Sequence, residues 1–255
     1  MQTDKLKSVA EIKKEIETAD SFEEVLAYYE TDSRKGVQTL IQRAKRQREK
    51  LVQERERLRQ MRVYEQKYQS CQAVCGIDEA GRGPLAGPVV AGAVILPEDC
   101  EILYLNDSKK LSETKREQLY EEIQKKAIAW AVGIVSQERI DEINILQATY
   151  EAMRQAISQL TVTPDLLLVD AVHIPEVSQE QVGIIKGDAK SVSIAAASIM
   201  AKVTRDRMMV QMDELYPEYG FASHKGYGSQ SHIAAIRQHG PCPIHRRTFI
   251  KNFIQ

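Results

Sequence analysis

Residues 74–96 read VCGIDEAGRGPLAGPVVAGAVIL and are the most informative stretch of the chain. A short apolar run ends in two adjacent acids, Asp78 and Glu79, and a glycine-flanked arginine and a proline follow directly. The second run, residues 89–96, is rich in β-branched residues and predicts a strand. Like charges held close together repel unless a cation neutralises them, so adjacent acids at a strand end are candidate metal ligands. A solvated turn is the alternative, but the small residues that follow favour the close approach of a large substrate to the backbone.

The bulk composition is that of an ordinary globular protein. The chain has 255 residues, of which 43% are hydrophobic and 28% charged, and its formal net charge is −1. Any nucleic-acid contact must therefore depend on local patches of charge. No apolar run approaches about 18 residues, which predicts no membrane span. The polar N-terminus lacks a secretion signal, which predicts a cytoplasmic protein whose thiols are reduced, with a zinc site at Cys71 and Cys75 as the weaker alternative.

The chain changes character near residue 70. Residues 1–70 contain a single glycine, Gly36, and no proline, and their apolar residues recur at helical spacing. Asp20 and Ser21 place a capping side chain before the second apolar set. From about Gly36 a long helix, rich in Arg and Lys, is predicted to reach residues 64–68. This part is therefore predicted to be a small all-helical appendage.

After residue 70, apolar strand-like runs are followed or separated by helical patterns. This alternation predicts an α/β domain on a mixed sheet over residues 72–255. The predicted strands cover residues 73–77, 89–96, 127–135 and 166–169, and the predicted helices cover residues 113–126, 140–160, 191–216 and 229–239.

Two further acids lie in similar settings. Asp170 ends the apolar run of residues 166–169, and Asp188 precedes a helix rich in Ala and Ser. Each has an ordinary alternative, since a strand-terminal Asp often makes a turn and an Asp before a helix often caps it. Together with Asp78 and Glu79 they make four carboxylates without His or Cys, which favours hard cations such as Mg²⁺ or Mn²⁺. Two such ions about 4 Å apart suit phosphodiester hydrolysis.

Other segments fit contacts with a phosphate polymer. Ser108 and Lys109 lie in a polar turn that is equally an ordinary helix start, with Ser112 as N-cap. Tyr227 lies between two glycines in a loop, where an exposed ring suits contact with a sugar or a base, although an exposed loop tyrosine is as often structural. The tail, residues 245–249, adds basic side chains.

These ordered motifs resemble the type 2 ribonucleases H, the ribonuclease HII family. The segments that carry the resemblance are residues 76–90 (GIDEAGRGPLAGPVV), residues 107–111 (DSKKL), Asp170, residues 187–188 and residues 226–228. The resemblance covers about residues 72–255 and includes all four acids of the family pattern. The similarity is greatest to bacterial members that carry an extra N-terminal segment.

The resemblance implies a ribonuclease H-like fold, a mixed sheet flanked by helices with the acids at its centre and further helices towards the C-terminus. It implies an endonuclease that hydrolyses the RNA strand of RNA–DNA hybrids and nicks duplex DNA 5′ of an embedded single ribonucleotide. The implied mechanism uses two divalent ions, Mn²⁺ or Mg²⁺, and leaves 3′-hydroxyl and 5′-phosphate ends. The expected partners are these nucleic acids, and the expected protein is a monomer that acts in ribonucleotide excision repair.

The resemblance also implies a role for individual residues. Four acids hold the metal ions and position the attacking water: Asp78, Glu79, Asp170 and Asp188. A second set reads the 2′-hydroxyl, the group that distinguishes RNA from DNA: Gly81, Arg82, Gly83 and Tyr227. A third set grips the flanking phosphates: Ser108 and Lys109.

Two other functions are open at the level of the sequence. One is another carboxylate-dependent nuclease of the same broad fold, an exonuclease or a DNA strand-transfer enzyme. The other is a duplex-binding module without turnover, against which the presence of all four acids argues. The basic helix of residues 1–70 has its own alternatives, which are a longer duplex footprint, a solvated charged helix, and a surface for a protein partner.

Overall fold

The structure, a computed structural model, describes residues 7–19 and 21–252. Contacts within the chain divide it into two compact units, one up to Arg57 and the other from Leu58 onward. The domain division expected near residue 70 stays a prediction. Within the described ranges, no helix is long and apolar enough to cross a membrane.

The first unit is helical, as predicted. Its helices are α1 (Val9–Thr18), α2 (Phe22–Tyr29) and the first part of α3 (Lys35–Gln60). The predicted capping residue Asp20 lies outside the described residues, and the hydroxyl of Ser21 caps α2 by accepting a hydrogen bond from a first-turn amide. The apolar faces meet in a small core made of Ile12, Ile16, Leu26, Tyr29, Val37, Ile41 and Ala44.

The second unit is built on a five-stranded mixed sheet. The strands are β1 (Val74–Ala80), β2 (Val89–Ile95), β3 (Ala129–Val135), β4 (Leu166–Asp170) and β5 (Glu180–Ile184). Their order across the sheet is β3-β2-β1-β4-β5, with antiparallel pairing among the first three and parallel pairing from β1 to β4 and from β4 to β5. The sheet confirms the predicted mixed α/β class.

Helices flank this sheet and follow it towards the C-terminus. They are α4 (Val63–Lys67), α5 (Glu113–Lys126), α6 (Gln137–Ser158), α7 (Val192–Leu215), α8 (Phe221–His224), α9 (Gln230–His239) and α10 (Arg247–Ile250). Short 3-10 turns cover Ser108–Lys110, Gly187–Ala189 and Pro217–Tyr219. The long N-terminal helix predicted to reach residues 64–68 is interrupted, because α3 ends at Gln60 and α4 begins at Val63.

Glycines in the strands set how closely the two long helices approach the sheet. A Cβ atom at Gly92 would lie 2.3 Å from the carbonyl oxygen of Ala197 in α7, and one at Gly76 would lie 2.0 Å from the backbone of Ser193. On the other face, a Cβ at Gly133 would lie 1.9 Å from the carbonyl oxygen of a residue in α6. The helix α7, with its small side chains, is thereby pressed against the centre of the sheet.

Candidate active site

The strand register brings two of the predicted acids together. Ile77 of β1 pairs with Val169 of β4 in parallel, so the next residues, Asp78 and Asp170, lie side by side on neighbouring strands. Asp188 lies in the 3-10 turn directly before α7. One carboxylate oxygen from each of Asp78, Asp170 and Asp188 lies within 4.8 Å of the others. The structure therefore gathers three of the four predicted ligands into one cluster, which we call the acid cluster.

The backbone around the acid cluster is tightly turned. The amide of Gly187 donates a hydrogen bond of 2.6 Å to Oδ1 of Asp170, which ties the turn to the end of β4. Ala171 and Lys186, next to the two ends of this link, have φ values of 57° and 58°. Left-handed backbone costs a residue with a Cβ about 1–2 kcal/mol. The fold carries this strain where it holds the acids in place.

Burial makes the acid cluster electrostatically costly. Asp78 is 4% exposed and Asp188 is 7% exposed. Burial raises the pKa of Asp78 well above its usual range, and the charges of Glu79 and Asp170 raise it further. Burial likewise raises the pKa of Asp188, with added contributions from Asp107 and Asp170. Uncompensated carboxylates of this kind are stabilised by a bound cation, and an all-oxygen donor set fits a hard divalent ion.

Glu79, the fourth predicted acid, lies beside the cluster and outside its 4.8 Å limit. It follows Asp78 on a strand, where successive side chains point to opposite faces. Its Oε1 lies 3.5 Å from Nη1 of Arg82. Burial raises the pKa of Glu79, and the guanidinium of Arg82 acts in the opposite direction. The pair therefore links the acids to the glycine-rich loop.

The predicted ribose-reading residues lie next to one another. Gly81 has a φ of 96°, and a Cβ there would lie 2.2 Å from Nε of Arg205, so only glycine fits. A Cβ at Gly83 would meet only the ring of Tyr227, at 3.9 Å. The side chains of Arg82 and Tyr227 are both 43% exposed. An accessible ring therefore lies against an accessible loop, as contact with a sugar requires.

The two predicted phosphate contacts differ in their surroundings. Ser108 is buried, and its hydroxyl lies 2.8 Å from the hydroxyl of Ser198. Burial acts to lower the pKa of Lys109, but nearby acids, Asp78 first among them, outweigh it and the net effect raises that pKa. Lys109 is thus a cation held near the acid cluster, whereas the hydroxyl of Ser108 faces the protein interior. Their roles as phosphate contacts stay predictions.

The sequence did not single out several residues that shape the site. Ser198 of α7 forms a hydrogen bond with Asp78 that partly opposes the effect of burial on the pKa of that acid. Its signal was faint: a polar residue inside a run of small ones. Arg205 and Arg246 are fully buried. The expectation that residues 245–249 form a basic tail is therefore wrong for Arg246, whose side chain packs in the interior, while Arg247 is exposed.

Two family models match separate parts of the chain. A family model described as ribonuclease HII matches residues 75–252, and another described as the ribonuclease HII N-terminal domain matches residues 8–69. The chain belongs to the ribonuclease HII family. The predicted resemblance is confirmed, and so is the prediction that the protein is an enzyme of the nuclease class.

Individual ribonucleases HII are similar over their full lengths. The protein from Lachnoclostridium phytofermentans is 61% identical over 246 residues, which cover 96% of this chain and 97% of that one. The one from Clostridioides difficile is 50% identical over 252 residues, which cover 97% and 99%. The crystal structure of ribonuclease H2 from Pyrococcus horikoshii is similar with a TM-score of 0.60 and 30% identity, covering 71% of this chain and 97% of that one. These similarities confirm the ribonuclease H-like fold.

Proposed function

We propose that this protein is an endoribonuclease that hydrolyses the RNA strand of RNA–DNA hybrids and nicks duplex DNA 5′ of a single embedded ribonucleotide. Its products would carry 3′-hydroxyl and 5′-phosphate ends. The observation that carries the proposal is the acid cluster, in which oxygens of three carboxylates, two of them buried and that of Asp170 partly buried, lie within 4.8 Å of one another. Membership of the ribonuclease HII family supports the choice of substrate.

Asp78, Asp170 and Asp188 are the residues that would hold divalent cations, Mg²⁺ or Mn²⁺, and Glu79 would assist from the side. Such cations lower the pKa of a water molecule and stabilise the charge that develops on the leaving oxygen. Lys109 places a positive charge close to the acids, where a phosphate of the substrate backbone would lie. By fixing the positions of the cations, the carboxylates would also fix the position of the attacking water.

Substrate choice would depend on the loop of residues 81–83 and on Tyr227. The exposed ring packs against Gly83, so a sugar placed on the ring meets the loop backbone. The 2′-hydroxyl both donates and accepts hydrogen bonds, and a site built to pair with it rejects a deoxyribose that leaves polar groups unpaired. This contact separates a ribonucleotide from the DNA on either side of it.

A denaturing-gel assay tests the proposal. The substrate is end-labelled duplex DNA with one ribonucleotide, incubated with Mg²⁺, with Mn²⁺ or with EDTA, and the control is the same duplex without the ribonucleotide. We expect one nick 5′ of the ribonucleotide, dependent on the metal, and an intact control. Cleavage of the control would favour a general nuclease. Cleavage of a long hybrid without the single nick would retain the acid cluster and reject ribose reading by Arg82 and Tyr227.

We also propose that the helical appendage extends the contact with the duplex. Arg43, Arg46 and Lys50 recur at helical spacing along α3 and line one groove. Removing one cation that neutralises a phosphate should reduce the slope of log affinity against log salt by about 0.9. Changing all three residues to Gln should reduce that slope by about 2–3, whereas changing Lys13 and Lys14, two cations exposed on α1, to Gln should leave it unchanged. An unaltered slope in the triple variant would favour a solvated helix.

A further inference from the structure

Two arginines next to the loop of residues 81–83, which we call the ribose-reading loop, are the largest fully buried side chains in the described part of the chain. Arg205 belongs to α7 and Arg246 precedes α10. Burial, followed by the neighbouring charge of Arg205, lowers the pKa of Arg246 to about 9, so the side chain stays charged at neutral pH. A charge removed from water is costly unless its donors are all engaged.

The guanidinium groups direct their donors at the backbone of a single loop. Arg246 donates from Nη2 to the carbonyl of Gly81 at 2.5 Å and from Nη1 to that of Arg82 at 2.9 Å. Its remaining bonds go to the carbonyls of Gly87 at 2.9 Å and Pro88 at 3.1 Å. One planar side chain therefore fixes both ends of residues 81–88.

Arg205 joins this loop to the loop that carries the tyrosine. It donates to the carbonyls of Ala86 at 3.0 Å and Pro88 at 2.9 Å on one side, and to that of Lys225 at 2.9 Å on the other. Its guanidinium carbon lies 5.9 Å from the centre of the Tyr227 ring. The two loops are thus held by the same buried charge.

The direction of these carbonyls decides what the loop offers to a ligand. A trans peptide is planar, and its C=O and N–H point in opposite directions. Because the carbonyls of Gly81 and Arg82 point inward at Arg246, the amides of Arg82 and Gly83 point away from it. Within the described residues, these two amides have no hydrogen-bond acceptor. Two consecutive free donors therefore lie in the loop that Tyr227 approaches at Gly83.

We propose that Arg246 is a positioning residue for ribose recognition, which orients the amides of Arg82 and Gly83 towards the 2′-hydroxyl and its phosphate, with Arg205 holding Tyr227 opposite them. The proposal rests on the proposed function. Both arginines are fully buried, so neither is accessible to the substrate. Lysine replaces Arg246 only in part, because an ammonium is a point charge with three donors and lacks the planar fork that spans four carbonyls.

Binding without cleavage tests this role, with Asp78→Asn as the common background. Fluorescence anisotropy gives the Kd for duplex DNA with one ribonucleotide and for the same duplex without it. We expect Arg246→Gln to raise the first Kd about tenfold, equivalent to about 1.4 kcal/mol, and to leave the second within about twofold. A purely structural role would change both values together. Arg247→Gln, the same change at the exposed neighbour, should leave the ratio of the two values unaltered.

Each outcome of this experiment has a distinct meaning. If the Asp78→Asn protein itself shows no preference for the ribonucleotide duplex, the ribose-reading part of the proposed function is wrong. If the Asp78→Asn protein shows the preference, a folded Arg246→Gln variant contradicts the positioning role in two cases. In the first it keeps the preference, and in the second it binds both duplexes equally more weakly. Thermal melting establishes folding. If the Gln variant does not fold, Arg246→Lys carries the test, with an expected rise of about threefold in the first Kd only, since part of the hydrogen bonding survives.

Discussion

Neutralising one member of the acid cluster should stabilise the metal-free protein while it removes activity. At 4.8 Å, the largest separation within the cluster, two like charges repel by about 3.5 kcal/mol at an effective dielectric constant of about 20. Asp78→Asn removes this repulsion with both other acids. It retains the acceptor for the amide of Glu79, which now donates to Oδ1 of Asp78 at 2.8 Å. Because protonation already relieves part of the repulsion, we expect a gain of about 3 kcal/mol in the free energy of unfolding.

The assay is thermal melting in EDTA at pH 8. For a domain of this size, about 3 kcal/mol raises Tm by about 6–12 °C. Burial, Glu79 and Asp170 raise the pKa of Asp78 in the folded state, so the wild type loses stability as pH rises through that pKa. The gap between variant and wild type should therefore be small near pH 4 and widen towards pH 8. Added Mn²⁺ should raise the Tm of the wild type more than that of the variant.

A matched control separates this effect from a general loss of negative charge. Glu214 is exposed on α7, sixteen positions beyond Ser198 and so about 24 Å along the helix axis from the site. Glu214→Gln should change Tm by less than about 2 °C at any pH, since a surface substitution is usually worth less than about 0.5 kcal/mol. A Tm for Asp78→Asn at or below that of the wild type in EDTA would refute the reasoning, as would a gap that does not depend on pH.

Three further predictions address packing, pH and recognition. Gly92→Ala should lower the free energy of unfolding by about 3 kcal/mol or more, because the added Cβ would lie 2.3 Å from the carbonyl oxygen of Ala197. The control, Gly83→Ala, should change Tm by about 2 °C at most. Equal Tm values for the two variants would contradict the packing explanation. Burial lowers the pKa of His232 to about 4. Its neutral form therefore stabilises the fold at neutral pH, and this contribution is lost as pH falls from about 6.5 to 4, since the unfolded chain binds the proton first. In urea unfolding, the stability advantage of the wild type over His232→Gln should shrink by about 3 kcal/mol over that range, and a constant advantage would contradict the assignment. Tyr227→Ala should keep Tm within about 2 °C of the wild type, because Tyr227 is 43% exposed. The same variant should lower kcat/KM for single-ribonucleotide nicking at least about tenfold. Unchanged nicking would exclude the ring from recognition.

Much of the fold could be predicted from local patterns. The helix α5 covers the predicted residues 113–126. Ser112 fixes its start, because the hydroxyl of Ser112 accepts a hydrogen bond from the amide of Lys115. The edge strand β5 (Glu180–Ile184) was not predicted. Its side chains alternate only weakly between buried and exposed, and its sequence, EQVGI, gives little β signal. Parallel pairing with β4 fixes this strand, and a pairing partner is not visible in a local sequence.

The site divides in the same way. Asp78, Asp170 and Asp188 were predicted because each follows an apolar run or precedes a helix in the sequence. The parallel pairing of β1 with β4 and the turn before α7 bring them together. The sequence pattern grouped Glu79 with these three acids. Because neighbouring side chains on a strand point to opposite faces, Glu79 lies beside the acid cluster. Arg246 was misassigned to a basic tail, because burial of a charged side chain depends on carbonyls more than 150 residues away. Nothing in the flanking sequence distinguishes it from the exposed Arg247.

The central claim is that Asp78, Asp170 and Asp188 hold divalent cations at the site of cleavage, and Mn²⁺ bound to the crystalline protein tests it most directly. Anomalous diffraction locates manganese independently of any assumed site. We expect anomalous density between the three carboxylates in the wild type and none there in Asp78→Asn crystals treated in the same way. Density only at other positions, in a protein whose cleavage activity requires Mn²⁺, would contradict the claim.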